Sequence, residues 1–179
     1  MFLPEGSTIS KAAFNRGVAV EIELAFVIGT ELRGPGVTVV DVIRATEWVL
    51  PAIEIVDSRY LRPGPGPLVI DSVADGAWCG GIVLGGNPRK LSQIDVRGVT
   101  GTLRINDEVR SHGVSSAVMG NPLSSVAWLA NKLSEFEVGI EAGHVVMSGS
   151  FIAIARLRAG DRVRATFDHF GDIEFEVGT

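Results

Sequence analysis

Val18-Ala19-Val20-Glu21-Ile22-Glu23-Leu24-Ala25-Phe26-Val27-Ile28 decides the fold class, because its side chains alternate with a period of two. Val18, Val20, Ile22, Leu24, Phe26 and Ile28 share one face of an extended chain, and Ala19, Glu21, Glu23, Ala25 and Val27 share the other. The stretch is a strand with one fully apolar face. Around it, 22 glycines and 8 prolines divide the chain into short runs rich in Val and Ile, which predicts many strands joined by tight turns.

Beyond this strand, the turn Arg33-Gly34-Pro35-Gly36 leads to Thr38, an N-cap with Asp41 three residues on, ahead of Val39, Val42, Ile43 and Val49 at helical spacing. This predicts a helix ending near Pro51. Ile53 to Val56 read as a second strand, and Arg62-Pro63-Gly64-Pro65-Gly66-Pro67 as an exposed loop, since its prolines lack the donor N–H. Further on, Asn121 caps a second helix with Pro122 in its first turn and an apolar stripe of Leu123, Val126, Leu129, Ala130 and Leu133, stopping near Gly139. Alternating runs at Val145–Met147, Phe151–Leu157 and Arg162–Phe167, then Ile173, Phe175 and Val177 opposite Glu174 and Glu176, predict antiparallel strands. The chain therefore reads as α+β and predominantly β.

With 179 residues, 46% of them hydrophobic and 21% charged, the chain suffices for one core-forming domain, taken as residues 1–179 in the absence of repeats or composition breaks. A net charge of −5, with no basic run to track a phosphate backbone, argues against nucleic acid as a partner. The single cysteine, Cys79, permits neither an internal disulfide nor a cysteine-based structural zinc site, which suits a reducing compartment, the cytoplasm by default. Met1 to Lys11 lack the pattern of a secretory leader, and no run approaches the ~20 apolar residues of a membrane span.

Two residues apart on a strand, Glu21 and Glu23 leave the same face about 6.6 Å apart along the backbone, close enough to reach one cation. Glu174 and Glu176 have the same spacing but lie opposite an apolar face at a chain end, where a solvated role suffices. The first pair differs in its company, since Ala19, Ala25 and Val27 enclose it and two charges there need a partner. Glu54 adds a third carboxylate within the apolar run Ile53–Val56. Two readings stay open on these residues alone: an oxygen-only site for Mg²⁺ or Mn²⁺, or pairing of each glutamate with an arginine such as Arg59 or Arg16, towards which the balance tilts. Asp57 and Arg59 form a similar candidate ion pair.

The remaining polar groups carry less. His112, His144 and His169 lack metal-ligand spacing and suit turns or the surface. Gly80-Gly81 and Gly85-Gly86 open no helix, so turns or close backbone approach explain them better than a phosphate loop. Asp71 and Asp75 line a cleft or form turns, and Ser148-Gly149-Ser150 offers hydroxyl and amide donors to an anion.

The stretches Pro4–Ile9, Val20–Val27, Arg33–Val39, Pro51–Arg59, Val126–Leu133 and Ser148–Phe151 resemble, in order along the chain, the hydratase and decarboxylase branch of the fumarylacetoacetate hydrolase superfamily. The resemblance implies a rolled, barrel-like mixed sheet with a few helices. It also implies that Glu21, Glu23 and Glu54 are ligands of Mg²⁺ or Mn²⁺, which reverses the balance towards ion pairs. The implied chemistry is hydration of a 2-hydroxydienoate or 2-oxo-alkenoate in aromatic meta-cleavage catabolism, through an enolate that the cation stabilises as a Lewis acid. The related outcome is loss of carbon dioxide from an oxo-diacid; a further alternative is a shortened, non-catalytic paralogue. Asp75 and Ser150 are expected at the substrate pocket, and a homo-oligomer is expected, with Trp48, Trp78 or Trp128 at contacts or in the core.

Three departures stand out. Met1-Phe2 matches an internal position of the family, so the preceding segment, with a lysine thought to act at the substrate, is expected to be absent. Where the family reads Ala-Asp-Asn-Ala-Ser, this chain has Ala74-Asp75-Gly76-Ala77-Trp78, which alters the pocket. Asn106-Asp107 replaces Asn-Gly in a hairpin turn that either residue satisfies at positive φ.

Overall fold

The computed structural model describes residues 1–10, 14, 17–57 and 68–178. The proline-rich loop Arg62–Pro67 and the arginines Arg16 and Arg59 lie outside these residues. The alternating stretch is a strand, β3 (Val18–Ile28), with the predicted bounds. It pairs antiparallel with β4 (Thr46–Asp57), from Val18 opposite Asp57 to Val27 opposite Trp48. On the far side of β4 lies β5 (Cys79–Leu84), and beyond it β1 (Phe2–Leu3), parallel to β5. Two short strands, β8 (Val145–Met147) and β9 (Ala155–Leu157), pair with opposite ends of the other edge of β3.

A second sheet holds β2 (Thr8–Ser10), β11 (Gly171–Gly178), β10 (Arg162–Phe167), β6 (Thr100–Ile105) and β7 (Glu108–Val114), in that order. Among the described residues neither sheet closes into a barrel, so the expected roll is open. The apolar face of β3, with Val20, Ile22, Leu24 and Phe26 fully buried, joins Leu103, Val163, Phe167, Ile173 and Phe175 of the second sheet in one cluster. Each such side chain contributes roughly 1.5–3 kcal/mol relative to exposure. The turn between β6 and β7 takes φ of 53° at Asn106 and 67° at Asp107, as the Asn-Asp sequence requires.

Three helices complete the described structure: α1 (Val39–Ala45), α2 (Val69–Ala74) and α3 (Pro122–Ser134). Thr38 and Asp41 form a reciprocal capping box on α1. Contrary to expectation, α1 does not run to Pro51. It ends at Ala45, where the Thr46 hydroxyl donates to the Val42 carbonyl at 2.7 Å and the chain enters β4. Val49, which had extended the helical spacing, is a buried strand residue opposite Phe26. Pro51 is tolerated inside β4 because its carbonyl accepts from Gly85 just past β5, so its missing donor falls where the neighbouring strand has run out.

Asn121 caps α3 by accepting from the Leu123 N–H at 3.1 Å, and the helix stops at Ser134 rather than near Gly139, with a turn over Glu135, Phe136 and Glu137. In the last turn of α3, the Asn131 amide both accepts from Val37 N and donates to Val37 O at 2.8 Å, clamping the chain ahead of α1. The segment of Asp71 and Asp75, read as a cleft or turns, is instead α2 and its C-terminal end. No residue of α2 is buried, so it leaves no apolar periodicity to read. Phe151 to Ile154 are bends and loop, leaving only Ala155–Leu157 of the expected run as strand.

Candidate metal centre

Register alone brings the three glutamates together. Glu21 stands directly opposite Glu54 across β3 and β4, and Glu23, two residues on, projects from the same face beside Ala52. Carboxylate oxygens of all three lie within 4.8 Å of one another. Glu23 is only 2% exposed, while Glu21 and Glu54 are half-buried. Among the described residues no lysine or arginine pairs with them, and the arginines considered for that role lie outside those residues.

Like charges crowded in a buried place hold their protons. Burial, together with the charges of Glu54 and Glu21, pushes the Glu23 carboxyl up to about 8, against the pull of the Gly149 N–H, which donates to its Oε2 at 2.7 Å. Burial and the Glu54 charge also raise the Glu21 carboxyl. The comparison pair behaves differently: Glu174 pairs with Arg164 on a half-exposed strand face, and Glu176 is exposed. Three converging oxygen donors, unneutralised by any described cation, fit a hard divalent ion.

Neither expected pocket residue belongs to this trio. Asp75 is half-buried at the end of α2, its amide bonded to the Asp71 carbonyl. The Ser150 hydroxyl serves its own turn, donating to Ile152 O at 3.0 Å and accepting from Ile152 N at 3.3 Å. In Ser148-Gly149-Ser150 the donor offered to an anion is the Gly149 amide, and the anion is the chain's own Glu23. Ser148, buried, bonds through its hydroxyl to Leu24 N at 3.3 Å and to Gly149 O at 3.2 Å, which ties this loop to β3.

One participant had no mark in the sequence. Cys79, half-buried at the start of β5, has its thiol pushed up to about 11 by burial and by the nearby Glu54 carboxyl, and the thiol donates to Gly81 O at 3.9 Å. Its position follows only from the pairing of β5 with β4, where it faces Val56. Gly80, expected to serve a turn or a close backbone approach, does the latter: a Cβ there would come within 3.0 Å of Phe14 and Asp57. The histidines keep the local roles expected of them: His112 bonds Thr102 at 2.9 Å, His144 accepts from Glu141 N at 3.1 Å, and His169 lies in a turn at φ 69°.

Residues 1–178 match the family model described as fumarylacetoacetate (FAA) hydrolase C-terminal. The 2-oxo-hept-4-ene-1,7-dioate hydratase of Escherichia coli is 37% identical over 177 residues, which is 97% of this chain and 66% of that protein. The 2-hydroxyhexa-2,4-dienoate hydratase of Comamonas testosteroni is 39% identical over 93% of this chain and 63% of its own length. The chain thus spans just under two thirds of these curated relatives. A solved 4-oxalocrotonate decarboxylase from Pseudomonas putida G7, complexed with magnesium and adipate, superposes with a TM-score of 0.92 at 33% identity, covering 98% of this chain and 66% of that one. With the family model matched over residues 1–178 and relatives of 37–39% identity along nearly all of the chain, the chain belongs to the fumarylacetoacetate hydrolase C-terminal family.

Proposed function

We propose that this chain is a divalent-metal-dependent hydratase that adds water to a 2-hydroxydienoate or its 2-oxo-alkenoate tautomer, a hydro-lyase of aromatic meta-cleavage catabolism. The observation that carries the reading is the convergence of Glu21, Glu23 and Glu54, with Glu23 only 2% exposed. These three would hold Mg²⁺ or Mn²⁺, and the bound ion would supply Lewis-acid stabilisation of the enolate that forms when a 2-oxo acid is deprotonated next to its carbonyl. Gly149 orients Glu23 through its amide, which donates to Oε2 at 2.7 Å. Ser150, next to Gly149, and Asp75, four residues ahead of Cys79, are the proposed pocket residues. The hydratase relatives support water addition.

Decarboxylation of an oxo-diacid is the second reading, favoured by the TM-score of 0.92 to a decarboxylase, and it uses the same stabilised enolate. In either case the reading includes a cytoplasmic homo-oligomer, supported by the lone Cys79 and by Trp128, which is 56% exposed on α3. Among the described residues no helix is long and apolar enough to cross a membrane.

The test follows dienoate ultraviolet absorbance with added Mg²⁺ or Mn²⁺ against chelator, together with carbon dioxide release. Metal-dependent decay without carbon dioxide is the expected result. Decay matched by carbon dioxide would give the second reading, and no decay with metal bound would overturn both.

A further inference from the structure

Ala19 pairs with Arg156 across β3 and β9, and directly opposed residues share a face of a sheet. Arg156 therefore leaves the sheet on the side that carries Glu21, which lies two residues along β3 from Ala19, a diagonal separation of roughly 7–8 Å between backbone positions. Its side chain is exposed and lines a cavity of about 640 Å³ together with Arg110, Arg158 and Asp161. Of the other three charged side chains there, Arg110 and Asp161 are committed. Arg110 pairs with Glu108 at 3.1 Å, and Asp161 accepts from Asn106 at 2.8 Å and from the Arg158 amide at 2.7 Å. Among the described residues Arg156 has no carboxylate within 4.0 Å.

Charge balance gives Arg156 a purpose. Three carboxylates exceed the charge of one divalent ion by one, so a loaded centre of this kind does not by itself attract a dianion. A guanidinium one strand over does, and its planar fork matches a carboxylate with two parallel hydrogen bonds. The carboxylate carbons of a seven-carbon dioate are joined by six bonds of ~1.5 Å, at most about 9 Å from end to end, comparable with the separation of Glu21 from Arg156.

We infer that Arg156 binds the far carboxylate of a dicarboxylic substrate whose 2-oxo acid head lies at Glu21, Glu23 and Glu54, making the site selective for dioates over monoacids of the same type. This rests on the proposed function, whose substrate class it narrows. Arg156 is then a binding and specificity residue, acting on the end of the molecule remote from the reacting carbons.

Two measurements test it separately. In turnover, Arg156→Ala is expected to lose roughly tenfold or more in kcat/KM on a seven-carbon dienedioate, through KM, with Arg156→Lys recovering part of the loss and a five-carbon monoacid dienoate unaffected by either change. In calorimetry on the magnesium-loaded protein, adipate is expected to bind at least tenfold more tightly than hexanoate to the wild type and equally to Arg156→Ala. Equal losses on both substrates, or a wild type indifferent between adipate and hexanoate, would overturn the assignment. A wild type that prefers adipate through Arg156 yet turns over neither dienoate supports the assignment and overturns the hydratase reading.

Discussion

The Gly149 amide donates to Glu23 Oε2 at 2.7 Å across 126 positions of sequence, making a backbone group the fixed partner of a buried carboxylate. Gly149 holds φ of 101°, a conformation in which a side chain is strained. Its neighbour Ser148 holds the loop against β3, accepting from Leu24 N and sending its own amide to Leu24 O at 3.0 Å. Ser148→Ala leaves the buried Leu24 N–H without that hydroxyl. The expected cost is ~1–3 kcal/mol in a urea unfolding series, with metal affinity weakened several-fold. Unchanged affinity by calorimetry would mean that Glu23 does not depend on the loop.

The direct opposition of Glu21 and Glu54 costs the metal-free protein stability, since like charges facing each other across a sheet repel by roughly 0.2–1 kcal/mol. Glu54→Gln should raise the Tm of the chelator-treated protein slightly and remove most of the rise that Mg²⁺ produces in the wild type. Thermal unfolding with and without the ion reads both effects, and a mutant still stabilised by Mg²⁺ as strongly as the wild type would exclude Glu54 as a ligand.

Proton and cation compete at Glu23. Its carboxyl titrates near 4.5 when unperturbed but keeps its proton to about 8 in the folded chain, so between those values the folded state binds more protons than the unfolded one. Stability of the metal-free protein must then fall as pH rises through that window. Metal affinity moves the other way, climbing towards pH 8 and flattening above it, because below that point the ion has to displace a proton. Titrations in several buffers would show the proton release, and Glu23→Gln should abolish it.

Gly113, opposite Gly101 on β7, is the position where the two sheets and the site loop are most tightly joined. A Cβ added there would lie 2.0 Å from the Phe151 carbonyl oxygen. Backbone cannot yield that far, so Gly113→Ala should cost about 2 kcal/mol or more. Because Phe151 lies two residues from Gly149, the same change should weaken metal binding, and a mutant that is destabilised with intact affinity would show that the loop moves independently.

How much of this was legible in the sequence depended on what each residue has for company. β3 was readable to its ends because a period-two pattern of eleven residues has no other interpretation. The sequence offered the three glutamates as one candidate oxygen site but could not decide it against ion pairs, since their convergence needs the pairing of Glu21 with Glu54, which no local pattern carries. Val49 satisfies helical spacing from Val39 and is also a good strand residue, and pairing with Phe26 decided between the two. α2 buries nothing and left no signal. Cys79 and Gly149 reach the site through a thiol and an amide whose positions depend entirely on which strands lie side by side.

The span between Glu23 and Gly149 also sets an order of events during synthesis. At ~5–20 residues per second, the amide that steadies Glu23 is made roughly 6 to 25 s after the carboxylate itself. For that interval a nascent chain can pair β3 with β4 and oppose Glu21 to Glu54, but it lacks β8, β9 and the loop between them. On the proposed metal role, ion capture by the complete trio then belongs to the last stage of folding, once the loop that holds Glu23 is in place.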